Sequence, residues 1–283
     1  MSPELTFIQI SDTHIGPRGQ LQYETDTGAN LVAVADRVRE MALEPVAFIF
    51  SGDLSNHGEA ESYQHFQDLL AEHFEPFGVP LLLGLGNHDL RVPFRQIILG
   101  QSGWSDEAVP YYYSQVIHGV RFIMLDSVLP GMVYGHLGPE QLAWLDAELT
   151  AGGPEGNVVV IHHPSLPRGV PRPDDYLLND RAELARVLAR HSVLAVLCGH
   201  SHVFTSGIFG GTLHVAATAT AYLLDPSIRD GGRGLEGAGF NICTLRDGQL
   251  IVNPVTLPGA QRELYRHFLT FSAMPDREVA THV

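Results

Sequence analysis

Four short motifs in this chain of 283 residues carry side chains that bind metal ions and move protons: Asp12-Thr13-His14, Gly52-Asp53, Gly86-Asn87-His88-Asp89 and Gly199-His200-Ser201-His202. A fifth, Ile161-His162-His163-Pro164, adds a histidine pair. Each follows a short apolar run directly, and in α/β sheets the loops leaving the carboxyl ends of strands converge on one ligand site. The glycines let the backbone turn sharply beside the sheet edge. The pooled donors are two Asp, one Asn and four or five His, a mixed oxygen and imidazole set without thiolate. Such a set suits Fe, Mn, Zn or Co and neither Ca nor a structural zinc. The donors are too many for one ion. Two ions need a group in common, and Asp53 suits that bridge because a carboxylate has two oxygens and only glycine separates it from the strand end. In an extended loop, residues i and i+2 point the same way, which groups His14 with Asp12 and His202 with His200.

The elements that would carry these motifs are legible as apolar runs: Leu5 to Ile10, Val46 to Phe50, Leu81 to Leu85, Val158 to Ile161 and Val193 to Leu197 read as buried strands. Helical periodicity lies between the early ones, over Asn30 to Ala42, Glu59 to Phe74 and Pro93 to Leu99. The first half is therefore a βαβαβα alternation with a largely parallel sheet. Tyr111 to Val116 and Val120 to Leu125 read as a hairpin, and Pro139 to Leu149 as a helix with proline at its start. Val203 to Phe209, Thr212 to Ala216, Phe240 to Leu245 and Leu250 to Val255, punctuated by Gly210-Gly211 and Asp247-Gly248, predict a second, mostly antiparallel sheet. Asp225 to Gly239, rich in Gly, Asp and Arg, reads as an exposed loop. Residues 1–258 read as one catalytic domain. From Gly259 a tail spotted with Tyr265, Phe268 and Phe271 is suited to pack on the body, cover the site or meet another subunit.

Composition excludes several functions. The 17 basic residues are all arginine against 32 acidic ones, a net charge of -15, so the surface repels polyanions and offers no footprint for duplex nucleic acid. Without lysine there is no Schiff-base chemistry and no lysine-centred phosphate binding. Only Cys198 and Cys243 are present, too few for a disulfide framework, and Cys198 reads as a small buried hydrophobe. The N-terminus lacks a basic signal-like segment, and no run approaches the roughly 18 apolar residues of a membrane span. The expected location is cytoplasmic.

The ordered set DxH, GD, GNHD, HH and GHSH resembles the calcineurin-like metallophosphoesterase family, and more narrowly its bacterial class III cyclic-nucleotide and glycerophosphodiester phosphodiesterases. The resemblance runs from about Phe7 to about Val255, and Gly135 to Leu149 resembles the helix that family places before its HH strand. It implies an α/β fold, a four-layer αββα sandwich of two mixed sheets flanked by helices. It implies Asp12, His14, Asp53 and His202 on one metal ion, with Asp53, Asn87, His162 and His200 on the other. The ions are two divalent or mixed-valence first-row metals, manganese and iron among them. His88 corresponds to the histidine beside the metals, and His163 falls outside the ligand set.

The resemblance implies a hydrolase of small phosphodiesters: cyclic nucleotides, glycerophosphodiesters or related compounds. Hydroxide shared between two cations roughly 3.5 to 4 Å apart would attack in line with phosphorus while the metals neutralise the equatorial oxygens. Protonated His88 is the candidate donor to the leaving alkoxide. Arg91 is a candidate phosphate contact, and Asn56 and His57 are candidates to line the substrate pocket. His65, His73, His118 and His191 read as structural or solvent-exposed. A phosphomonoesterase or protein phosphatase on the same core is the alternative, and a non-catalytic metal-binding scaffold is the alternative of another class. A homodimer or larger homo-oligomer is compatible with the aromatic tail.

Overall fold

Alternation along the first strand sends its side chains into two interiors: Leu5 and Phe7 join one apolar cluster, Ile8 and Ile10 another. A strand buried on both faces belongs to an inner layer. The computed structural model describes residues 4–169, 176–228, 231–257, 259 and 262–268. The first half runs β1 (Leu5–Ile10), α1 (Thr27–Glu40), β2 (Phe48–Ser51), α2 (Ala60–Leu69), β3 (Leu81–Gly84) and α3 (Arg91–Ile97). The hairpin β4 (Tyr113–Ile117) and β5 (Val120–Met124) follows, then α4 (Gly138–Ala151), β6 (Gly156–Val160), α5 (Arg181–Leu188) and β7 (Ala195–Cys198). The remaining strands are β8 (Thr205–Phe209), β9 (Thr212–Ala216), β10 (Leu223–Leu224), β11 (Gly231–Leu235), β12 (Gly239–Arg246), β13 (Gln249–Thr256) and β14 (Glu263–Phe268).

One sheet has the order β13-β12-β1-β2-β3, with β1, β2 and β3 parallel; the other has the order β4-β5-β6-β7-β9-β8, with β5, β6, β7 and β9 parallel. Phe7, Ile49 and Leu82 of the first sheet pack against Phe122, Val158 and Leu197 of the second in a shared core. The outer face of the first sheet is covered by α1 to α3 through Leu31, Val34, Phe66 and Phe94. The outer face of the second is covered by α4 and α5 through Leu142, Leu145, Leu184 and Leu188. This is the αββα sandwich. Within the inter-sheet core, Gln9 donates to Ser51 Oγ at 3.1 Å and to the Cys198 carbonyl at 2.9 Å, and accepts from Asn241 Nδ2 at 2.9 Å. Among the described residues no helix is long and apolar enough to cross a membrane.

The structure corrects three expectations. The late strands do not form an antiparallel sheet of their own: β8 and β9 extend the second sheet, while β12 and β13 extend the first beside β1. Alternation marks a half-buried strand but does not say which sheet edge receives it. Within the expected loop from Asp225 to Gly239, β11 lies between β10 and β14 in a small third sheet. A tyrosine takes up the space beside Gly234: a Cβ there would strike the ring of Tyr265, its cross-strand partner. Helix boundaries also move. α1 begins at Thr27, earlier than Asn30, because Asp26 caps it by accepting from Ala29 N at 2.9 Å. The periodic run expected to reach Phe74 leaves α geometry at Leu70 for a π turn, and Phe74 packs edge-on against Phe48 and Phe50. Phe271 and residues 170–175 of the loop between Pro164 and Leu178 lie outside the described residues.

Candidate metal centre

The five motifs leave the carboxyl ends of β1, β2 and β3 in one sheet and of β6 and β7 in the other. Past the end of β1 the chain still runs beside β2, with Asp12 N bonded to the Gly52 carbonyl and His14 N to that of Asp53, both at 3.0 Å. Five motif residues sit in the left-handed region: Asp12 (φ 53°), His14 (43°), Asp53 (52°), His200 (67°) and His202 (52°). Such a conformation costs a non-glycine residue about 1 kcal/mol or more, so the surrounding structure must impose it. The intervening glycines allow the crowding. A Cβ on Gly52 would strike the ring of His162, one on Gly86 the carboxylate of Asp53, and one on Gly199 the Ser11 hydroxyl and the Asp12 carboxylate.

The side chains of the motifs converge. Asp53 Oδ2 lies 3.5 Å from His14 Nε2 and 3.3 Å from His162 Nε2, so one carboxylate oxygen stands between imidazoles from different sheets. Asp12 Oδ1 is 3.4 Å from His202 Nε2, and the same carboxylate accepts from His200 N at 2.8 and 3.0 Å. Asn87 Oδ1 is 3.3 Å from His162 Nε2. The His200 ring packs 5.0 Å from that of His162 and 4.7 Å from that of His163. Four overlapping groups have ligand atoms within 4.8 Å of one another: Asp12, His14 and His202; Asp12, Asp53 and His162; His14, Asp53 and His88; His162, His163 and His200.

The tautomers show what this arrangement accepts. Each of three Nδ1 atoms faces an oxygen acceptor: His14 the Asn56 Oδ1 at 3.1 Å, His162 the Ser51 carbonyl at 2.9 Å, and His202 the Tyr222 carbonyl at 3.0 Å. The ring proton therefore sits on Nδ1 and the Nε2 lone pair points inward. His14 Nε2 and His202 Nε2 then face each other at 3.1 Å beside two carboxylates, lone pair against lone pair. That donor set fits a cation, and outer partners that fix the tautomer are a recurring feature of histidine ligation. Protonation in the metal-free chain points the same way. Burial would lower His162, but the carboxylates of Asp53 and Asp12 raise it to about 9, because two carboxylates beside it favour positive charge at this point. His14 is held down to about 3, chiefly by burial. Burial would raise Asp53, but His162, His88 and His14 hold it well below the usual carboxylate range.

His88 is anchored twice, through its N–H to Asp53 Oδ1 at 2.9 Å and through Nδ1 to the Asn56 carbonyl at 2.7 Å, which leaves Nε2 free of both. Its ring meets His14 edge-on at 4.6 Å. His163, whose Nδ1 is 2.7 Å from Ser127 Oγ, adds its ring to the second histidine cluster. Of the expected substrate contacts, Arg91 is corrected. Its buried guanidinium gives Nε to Asp126 Oδ2 at 2.7 Å, Nη2 to Asp126 Oδ1 and the Val128 carbonyl, and Nη1 to the Glu107 carbonyl. It clamps a loop, with four of its five N–H groups committed there. Asn56 is also reassigned: buried, it orients His14 through Oδ1 and donates Nδ2 to Gln22 Oε1 at 2.6 Å and His57 Nε2 at 3.0 Å. His57 is exposed beside it. Asp89 ends the GNHD motif and has a supporting role that the motif alone does not announce. Its buried carboxylate accepts from the backbone of Leu54, Ser55 and Gly86 and from the Tyr63 hydroxyl, at 2.8 to 3.1 Å, tying the second motif to the third. Burial and the neighbouring Asp53 raise it to about 6.

A model of the calcineurin-like phosphoesterase family matches residues 5–204. The chain belongs to that family. Among its relatives, it is similar to a cAMP/cGMP dual specificity phosphodiesterase of Mycobacterium tuberculosis, 32% identical over 262 residues, covering 92% of this chain and 81% of the relative. It is also similar to a glycerophosphodiester phosphodiesterase of Enterobacter lignolyticus, 30% identical over 206 residues, covering 71% and 72%. In fold it is similar to a dimetal phosphatase from Danio rerio, with a TM-score of 0.62 at 16% identity, covering 88% of this chain and 98% of that one.

Proposed function

We propose that this chain is a dinuclear-metal phosphodiesterase of small phosphodiesters, with residues 1–258 as its catalytic domain. The observation that carries the reading is the set of three imidazoles whose Nδ1–H groups are spent on oxygen acceptors while their Nε2 atoms converge on Asp12 and Asp53. In this reading Asp12, His14, Asp53 and His202 hold one ion, and Asp53, Asn87, His162 and His200 hold the other. Iron, manganese, zinc and cobalt all suit these donors. When bound by these residues, such cations would supply Lewis-acid charge for the phosphoryl oxygens and would lower the pKa of a bound water.

The residues around them do the rest. Asp53, between imidazoles of both sheets, couples the two halves of the centre. Asn56, Ser51 and Tyr222 hold the ring orientations. His88, with Nδ1 tied to the Asn56 carbonyl, presents Nε2 to donate a proton to the departing oxygen of an ester whose alkoxide is a poor leaving group. The two buried cysteines are free thiols, which supports a reducing, cytoplasmic setting. The names of the relatives support diesters, cyclic nucleotides and glycerophosphodiesters among them. The test is hydrolysis of bis(nitrophenyl) phosphate against nitrophenyl phosphate by protein reconstituted with Mn, Fe, Co or Zn, alongside metal analysis. A diester preference with two ions per chain is expected. A strong monoester preference overturns the diesterase assignment, and inactivity with every metal favours the scaffold reading.

A further inference from the structure

Three tyrosines from distant parts of the sequence meet beside the centre. The Tyr222 ring lies 4.3 Å from that of His202 and 6.0 Å from that of His14. Tyr23 packs 4.9 Å from Tyr222, and Tyr265 packs 5.7 Å from Tyr23 and 5.9 Å from Tyr222. Tyr222 is buried and Tyr265 half-buried, whereas Tyr23 is 47% exposed. The aromatic surface thus begins against two histidines of the centre and ends in solvent.

The backbone holds Tyr23 there against its own preference. Gln22 and Thr25 close a turn through two backbone hydrogen bonds of 2.8 Å, and both central residues are left-handed, Tyr23 at φ 49° and Glu24 at 61°. Turns of this type favour Asn and Gly at those positions, so a tyrosine and a glutamate in them are unfavourable for folding alone. Strain of this kind concentrates where a ligand is held. Both flanks of the turn are tied to the site. Gln22 accepts from Asn56, which in turn accepts from His14, and Glu24 pairs with Arg262 at 3.2 Å just before β14, the strand that carries Tyr265. The buried tie through Gln22 and Asn56 sets the position of Tyr23 relative to the centre, and the exposed Glu24–Arg262 pair lies on its other flank.

We infer that Tyr23, Tyr222 and Tyr265 form an aromatic wall whose exposed ring, Tyr23, stacks the planar base of a nucleoside phosphodiester while its phosphate lies at the carboxylate and histidine centre, Tyr222 and Tyr265 backing that ring. The inference rests on the phosphodiesterase reading and narrows it to nucleotide substrates. Stacking recognises a π face and leaves a glycerol moiety, which has none, without an equivalent contact.

The test uses the full chain, loaded with Mn, as wild type and as Tyr23→Leu and Tyr23→Phe, with thermal midpoints to confirm folding. Adenosine 5′-monophosphate and glycerol 3-phosphate are titrated calorimetrically, and hydrolysis of 3′,5′-cyclic AMP is compared with that of glycerophosphoethanolamine. Wild type is expected to prefer the nucleotide, Tyr23→Leu to lose about tenfold of that preference through nucleotide Kd and KM and not through kcat, and Tyr23→Phe to restore it. A preference that is unchanged in Tyr23→Leu, or an equal loss for both ligand types, overturns the inference. Nucleotide binding that depends on Tyr23, with neither diester hydrolysed, supports the wall and overturns the phosphodiesterase reading. Hydrolysis of both diesters at a ratio indifferent to Tyr23 does the reverse.

Discussion

Replacing Asn56 with leucine removes the oxygen 3.1 Å from His14 Nδ1 while keeping the branched shape of the side chain. The site is buried, so water does not take over as acceptor. Two responses are open to His14, and both weaken ion binding. If the proton stays on Nδ1, a buried donor is left unpaired at a cost of about 1–3 kcal/mol. If the proton moves to Nε2, the lone pair facing Asp53 is lost altogether. Outer partners of histidine ligands are worth about 10–100-fold in metal affinity, roughly 1.4–2.7 kcal/mol, which agrees with that cost. The loss should fall on the ion held by Asp12, His14, Asp53 and His202, so Asn56→Leu is expected to bind one ion normally and the other about 10–100-fold more weakly. Asn56→Asp, which keeps an acceptor for Nδ1–H, should recover most of the affinity. Competition against a chelator with Mn and Co reads both stoichiometry and affinity. A folded Asn56→Leu protein that binds both ions within twofold of wild type refutes the reasoning, and one with intact metal binding but raised KM restores the substrate contact first expected of Asn56.

Asp53→Ala should lose both ions together, as metal analysis would show; retention of either at full occupancy rules out a shared carboxylate. His88→Ala should keep its metal while turnover falls about 10²–10⁴-fold, most for esters with poor leaving groups; equal losses for good and poor leaving groups, measured on a nitrophenyl and an alkyl diester, argue against proton donation. Arg91→Met strands the buried Asp126 carboxylate and should destabilise the fold by about 3–5 kcal/mol in urea; a loss below about 1 kcal/mol combined with a raised KM would return Arg91 to the substrate. The chelator-treated protein should be most stable near pH 6.5. His162, raised from 6.5 to about 9, stabilises fully below 6.5 and loses that contribution as pH rises through 9. His14, lowered from 6.5 to about 3, costs stability as pH falls from 6.5 toward 3, because only the unfolded chain takes up the proton. Denaturation midpoints at pH 5, 6.5 and 9 that rise steadily in either direction would contradict this.

What was legible in the sequence is what is local. The apolar runs ending in DxH, GD, GNHD, HH and GHSH place the donors at strand ends, because burial, strand ending and glycine all leave marks within a few residues. What depended on distant partners was not legible. Arg91 beside GNHD looks like a phosphate contact until Asp126, 35 positions away, takes its guanidinium. Asn56 sits in a polar loop, and nothing in its neighbourhood announces His14. The left-handed backbone at Asp12, His14, Asp53, His200 and His202 is equally hidden, since glycine is the usual sign of that conformation and these residues are held in it by crowding. The glycines of β11 read as a loop because the tyrosine that covers Gly234 comes from β14.

The division of the centre between two sheets bears on how the molecule comes apart. Asp12, His14, Asp53 and Asn87 leave the first sheet, His162, His200 and His202 the second, and Gln9 ties the two just beneath. Ions bound between them would act as a rivet holding the two layers together. Neither layer alone supplies the full donor set, so complete coordination would be a late event in folding. On the way out, the layers cannot part without breaking coordination, so ion release and sheet separation should share one barrier. A bound pair of ions would lengthen the lifetime of the native state as well as deepen its equilibrium stability.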